Sequence, residues 1–228
     1  MQNHFNKRQI LWYNFDMKQL SFDRLHLNRK KIIYTHKDQD HIVINGNNNI
    51  LLSAPHGVSQ IRLGKYKSRE IGSLATALHL KNNSNCYLIA KTKNNNDDAN
   101  FDEISQYKSS IEKLIKTNDI KYLIDLHGLS SNRDCDINLG IHLGKNIETN
   151  ISVFNWLNNQ LTNNGFLVKI DEPFMAGIRT ISGYFKNKHP NIWTLQIEIN
   201  CSITNKKENF SKFKTLLNIL TEWINNLK

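Results

Sequence analysis

The sequence predicts a single α/β domain, with a mixed and largely parallel central sheet flanked by helices. Three observations predict it. Short apolar runs alternate along the chain with longer segments of helical spacing, the pattern of strands joined by helical crossovers. Two of those runs, residues 50–54 and 122–126, are apolar nearly throughout, as strands covered on both faces are. The 228 residues suit one core, and no internal repeat or linker divides them.

The elements follow in order. Residues 1–30 mix aromatic and basic side chains without a motif, so a peripheral helix or an irregular cover is expected. Residues 31–35 and 41–44 read as two strands. Asn45-Gly46 is turn chemistry, so a hairpin leading into the strand at Ile50 is expected. On this reading residues 1–45 are an N-terminal extension whose strands pack on a core domain of residues 46–228. Residues 68–80 carry Ile71, Leu74, Ala75 and Leu78 at helical spacing, with Ser68 as the expected N-cap and Glu70 in the first turn. Residues 86–90 are a strand, and 101–116 are a helix with Ile104, Tyr107, Ile111 and Leu114 on one side. Residues 136–142 alternate as a strand. Helix 149–164 stops at Gly165, and a strand follows at 166–170. A short helix at 180–188 ends before Pro190. Strand 193–200 and a closing helix at 208–227 complete the chain.

Composition sets the outer bounds. Hydrophobic residues make up 39% and the mean hydropathy is −0.52, so a soluble protein is expected. No run approaches the roughly 20 apolar residues of a membrane span, and the N-terminal residues show no signal-type apolar segment. Cytoplasmic residence without a membrane partner is therefore expected. Cys86, Cys135 and Cys201 are odd in number and far apart, which argues against a disulfide framework and a thiolate zinc cluster. The net charge of +10 and pI near 9.5 raise the question of nucleic acid. The charge is mostly Lys and dispersed, with no aromatic and basic interleaving. A surface that draws anionic substrates explains it as well, and no specific nucleic-acid partner is expected.

The chemistry gathers at strand ends. IDLHG and SAPHG each close an apolar run with His-Gly, at His127-Gly128 and His56-Gly57. Ligands in open α/β sheets bind beyond the carboxyl ends of strands. One such His is also what a hydrogen-bonded core residue looks like; two suggest imidazoles meeting at one sheet edge. Asp125 lies two residues before His127 and faces the same way, as an outer carboxylate that accepts a hydrogen bond near the site. WTLQIEIN places Gln196, Glu198 and Asn200 on one face of a strand, which is costly unless they line a site. His56, Glu70 and His127 form a candidate metal set, two imidazoles and a carboxylate with a fourth position open for water. The spacing from His56 to Glu70 matches no compact ligand signature, and a Glu at a helix start is also favoured by the helix dipole. Glu198 is the candidate general base or acid, with a buried salt bridge as its alternative. Arg179, in GIRTISG, and Arg62 can hold a carboxylate through paired bonds, or be simply solvated. Asp97, Asp98 and Asn100 form a polar loop, either a pocket rim or a surface turn.

Taken together, SAPHG, REIGSLATAL, NDDANFD, IDLHGLS, DINLG, DEPFMAGIRT and QIEIN resemble, in order, the motifs of N-formylglutamate amidohydrolase-like proteins, over roughly residues 50–202. The resemblance implies a hydrolase fold similar to the zinc carboxypeptidases and deacylases, broadly phosphorylase/hydrolase-like. It implies one zinc ion on His56, Glu70 and His127, Glu198 as the catalytic carboxylate, and Arg179 on the substrate carboxylate. Arg62 and Asn100 complete the expected substrate-binding set. The implied activity is hydrolysis of an amide bond in a small acidic N-acyl amino acid. A γ-glutamyl or other peptide is the alternative substrate, and a non-catalytic binder of an anionic ligand the alternative function. The chain departs from the family at Val58, Ala176 and Cys201, where Gly, Gly and Arg are usual.

Overall fold

The protein is described by a computed structural model covering residues 20–227. Expectations for residues 1–19 lie outside the described residues. The described chain opens on α1, Phe22–Thr35. Ser21 caps it by accepting from the Arg24 amide at 3.3 Å, and Leu25, Arg29 and Ile32 are its buried stripe. Residues 31–35 are thus the end of a helix and not the expected strand. The Ile32-Ile33 pair reads as strand only when its helical spacing from Leu25 is overlooked.

Among the described residues the sheet has seven strands: β1 (His41–Ile44), β2 (Ile50–Ala54), β5 (Tyr87–Lys91), β6 (Tyr122–Leu129), β7 (Ile137–Gly140), β8 (Val168–Ile170) and β9 (Trp193–Asn200). Their order is β1-β5-β2-β6-β9-β7-β8. The central β5, β2, β6 and β9 are mutually parallel. β1 joins β5 antiparallel at one edge, while β7 runs antiparallel to β9 and parallel to β8. The expected hairpin into Ile50 does not form, because β5 lies between β1 and β2. Gly46 serves a chain crossing instead. Its backbone lies against Asn85 to Tyr87, where a Cβ would collide with the Cys86 carbonyl carbon, and Asn47 donates to the Asn85 carbonyl at 3.0 Å. A two-stranded hairpin that the sequence reading missed, β3 (Gln60–Arg62) with β4 (Lys65–Lys67), projects after His56. Its turn residues, Leu63 and Gly64, both have positive φ.

Helices cover both faces: α2 (Ile71–Ser84), α3 (Gln106–Thr117), α4 (Ile151–Asn163), α5 (Ile181–Lys188), the short α6 (Cys201–Thr204) and α7 (Phe210–Asn225). Helix α3 starts later than expected, because Ser105 caps it by accepting from the Lys108 amide at 3.1 Å. Successive strand residues split between two cores by period two. Leu52, Leu88 and Ile124 pack with Leu74, Leu217 and Trp223 of α2 and α7. Leu51, Ile89 and Leu123 pack with Tyr107, Ile111 and Phe185 of α3 and α5. The parallel strands therefore deliver their carboxyl ends, with both His-Gly pairs, to one edge.

Candidate metal centre

His56 stands in the turn just beyond β2. His127 lies within β6, which continues to Leu129 rather than ending before the His. Across the parallel ladder His127 is paired with Glu198 and Asp125 with Gln196. Period two then puts all four on one face. Glu70 is the N-cap residue of α2, in place of Ser68, yet its side chain makes no capping bond. It reaches to the histidines instead.

The three groups converge. His56 Nδ1 is 2.7 Å from Glu70 Oε1, and His127 Nδ1 is 3.3 Å from Glu70 Oε2. The two Nδ1 atoms are 3.1 Å apart. Each far ring nitrogen meets a carboxylate: His56 Nε2 lies 2.9 Å from Asp98 Oδ1, and His127 Nε2 lies 2.9 Å from Asp125 Oδ2. Gly128 donates its amide to Glu70 Oε2 at 2.9 Å. A Cβ at Gly128 would sit 3.0 Å from the Glu70 Cβ, so the glycine admits the Glu70 side chain. Arg62 Nε donates to Asp98 Oδ2 at 2.6 Å, and Gln196 Nε2 donates to Glu198 Oε1 at 2.8 Å.

Charge follows from this geometry. Burial alone would lower the His56 pKa, but Glu70 and Asp98 outweigh it and lift it to about 8. Burial likewise opposes the charged form of His127, yet Asp125 carries it well above the usual value. Burial would raise Glu70, and the two imidazoles pull it well below the carboxylate range. Glu198 goes the other way: burial lifts it to about 7, against the pull of His127 and with the push of Glu70.

The donor set fits a metal ion. With each Nε2–H given to an aspartate, both Nδ1 atoms are turned to the Glu70 carboxylate, and on losing their protons they offer lone pairs beside a carboxylate oxygen. Positive charge is needed at that point, supplied by the imidazole protons or by a cation that replaces them. One donor atom from each of the three residues lies within 4.8 Å of the others. Two imidazoles with one carboxylate suit zinc, and carboxylates on the far ring nitrogens orient such ligands.

The centre opens on a cleft of about 640 Å³. His56, Glu70, His127, Glu198, Arg62 and Asn100 all line it. Asn100 also ties the site together, accepting from the Ile181 amide at 2.8 Å. Asp125 is wholly buried behind His127. Arg179 is not brought in. It borders a neighbouring hollow of about 590 Å³ and stands over the Phe101 ring at 5.6 Å, with Arg62 at 5.0 Å from the same ring. Lys67, Arg69 and Arg133, none of them singled out in the sequence, line the cleft in its place, as does half-buried Cys201. The sequence reading also missed the role of Asp98. It is 0% exposed and holds both His56 and Arg62, which is neither a rim nor a surface turn. Its signal was position: the loop after β5 emerges at the same edge as His56.

No family model and no curated protein matches the sequence. Solved structures do match the fold. The gene product Atu2144 from Agrobacterium tumefaciens superposes with a TM-score of 0.62 at 10% identity, over 88% of this chain and 99% of that one. N-formylglutamate amidohydrolase from Ralstonia eutropha JMP134 gives 0.56 at 12% identity, over 82% and 96%. The zinc-free apo form of YNDL gives 0.51 at 17% identity, over 86% and 95%. The fold is thus the single-domain α/β fold that N-formylglutamate amidohydrolase adopts, in keeping with the resemblance that the motifs carry.

Proposed function

We propose that the protein is a zinc-dependent hydrolase that cleaves an amide bond in a small acidic substrate, such as an N-acyl or N-formyl amino acid. One observation carries the reading. Three ligand atoms from His56, Glu70 and His127 converge in a cleft, and a separate buried carboxyl, Glu198, faces His127 across the ladder with a pKa near 7.

The chain's own groups divide the work. His56, Glu70 and His127 hold the metal, which when bound polarises the carbonyl and makes water easier to deprotonate. Asp98 and Asp125 accept from the far ring nitrogens and hold both imidazoles in the tautomer that leaves Nδ1 as the ligand. Glu198 accepts a proton from the attacking water and passes it to the leaving nitrogen as the C–N bond breaks. A pKa near neutrality suits both directions of that transfer. Gln196 holds Glu198 in place by donating its Nε2 to the Glu198 Oε1. Among the described residues the cleft carries Arg62, Lys67, Arg69 and Arg133 against two carboxylates, Glu70 and Glu198 of the centre. That balance favours an anionic substrate, and these cations support the role first assigned to Arg179. The cleft's volume also admits a γ-glutamyl or other short peptide.

A hydrolysis screen tests the reading. The zinc-loaded protein is offered N-formyl, N-acetyl and longer N-acyl amino acids, then short glutamyl peptides. Turnover of acidic members above neutral ones is expected. Zinc binding without hydrolysis of any amide would favour a binder over an enzyme.

A further inference from the structure

Outside the catalytic cleft, a second hollow of about 590 Å³ lies between α1 and the start of α2. His26, Arg29, Lys30 and Arg69 line it, and Arg69, Ile71 and Asn205 line the cleft as well, so the two spaces adjoin. Arg29 is 4% exposed, and its Nε is buried. Its Nε has no hydrogen-bond partner, and no ion pair holds the guanidinium among the described residues. Burial and, after it, the like charge of Arg69 push the Arg29 pKa below its usual value. Among the described residues the one acid lining the hollow, Asp23, is paired with Lys207 at 2.8 Å.

A guanidinium nitrogen buried without an acceptor is costly, and the charge of Arg69 on the same hollow adds to the cost. The arrangement is relieved by an oxyanion, which a guanidinium fork grips with two parallel bonds. We propose that Arg29 and Arg69 form an oxyanion-binding site, for a carboxylate or a phosphate, at the end of the cleft supplied by α1. On the hydrolase reading above, the site receives the far carboxylate of an extended acidic substrate. The anion site itself does not depend on that reading.

Thermal unfolding of the full-length protein tests it, with sodium glutarate, sodium phosphate or sodium chloride at matched ionic strength. At ten times its Kd an occupied site raises the wild-type Tm by roughly 3–5 °C. Arg29→Met should remove most of that rise and, without the anion, melt no lower than wild type, since a buried unpaired charge is gone. Arg69→Gln, at an exposed position, should also reduce the rise and serves if Arg29→Met does not fold. A response to glutarate alone assigns the site to a substrate carboxylate, and a response to phosphate alone assigns it to free phosphate; both support an oxyanion site. No rise in wild type with either anion, or an undiminished rise in the variants, would overturn it. A rise lost in the variants of a protein that hydrolyses no amide would keep this site and remove the hydrolase reading.

Discussion

Glu198 separates proton transfer from metal ligation. Its neighbours in β9, Ile197 and Ile199, join the larger core on the opposite face, while its own carboxyl faces His127. Glu198→Gln keeps the shape and removes the titratable group. The variant should retain its metal and lose turnover by roughly 10²–10⁴-fold. Loss of the metal would make Glu198 a ligand. The two aspartates act one step back. Asp98→Asn and Asp125→Asn should each weaken metal affinity or activity roughly 10–100-fold, since each holds an imidazole of the proposed metal set by its far nitrogen. Chelator competition reads the affinity directly, and wild-type values in both variants would leave these residues merely structural.

At the scale of elements, much of the site was legible because strands are periodic. The two apolar runs ending in His-Gly, and the polar alternation of Gln196, Glu198 and Asn200, pass straight from sequence to sheet edge. What stayed hidden depended on contacts between distant segments. Nothing local to Asp98 says that it lies under His56, and nothing local to Arg179 says that it faces a different hollow. Residues 31–35 show the same limit, since two isoleucines suit a strand or the buried side of a helix until the neighbouring turn is counted. The meeting of β6 with α2 offers a test. Gly128→Ala places a methyl group against the Glu70 side chain, which must shift to accept it. The fold should survive while turnover falls roughly tenfold or more, because small displacements at a centre are costly. Unchanged turnover would show that this contact does not position Glu70.

Over the whole molecule, charge and burial set the response to pH. His79 of α2 is 1% exposed, and burial lowers its pKa from 6.5 to about 4. Between those values the unfolded chain binds more protons than the folded one. This contribution to stability is therefore complete above pH 6.5 and is lost as the pH falls towards 4. It amounts to something on the order of 3 kcal/mol. His79→Leu should flatten the pH dependence of the denaturant midpoint in that window relative to wild type, and an identical slope would show that His79 protonates as easily folded as unfolded. At the other end of the scale, no helix among the described residues is long and apolar enough to cross a membrane. The cationic cleft links the molecule's net charge of +10 to its proposed substrate.

His56, Glu70 and His127 are proposed to hold a metal on which amide hydrolysis depends. Zinc titration of the metal-stripped protein, with bound metal and turnover of an N-acyl glutamate followed together, tests it most directly. Both should rise in step and level off at about one equivalent, and His127→Ala should lose most of the metal and the activity with it. Turnover that is complete before zinc is added, or full zinc occupancy in His127→Ala, would rule out this metal centre.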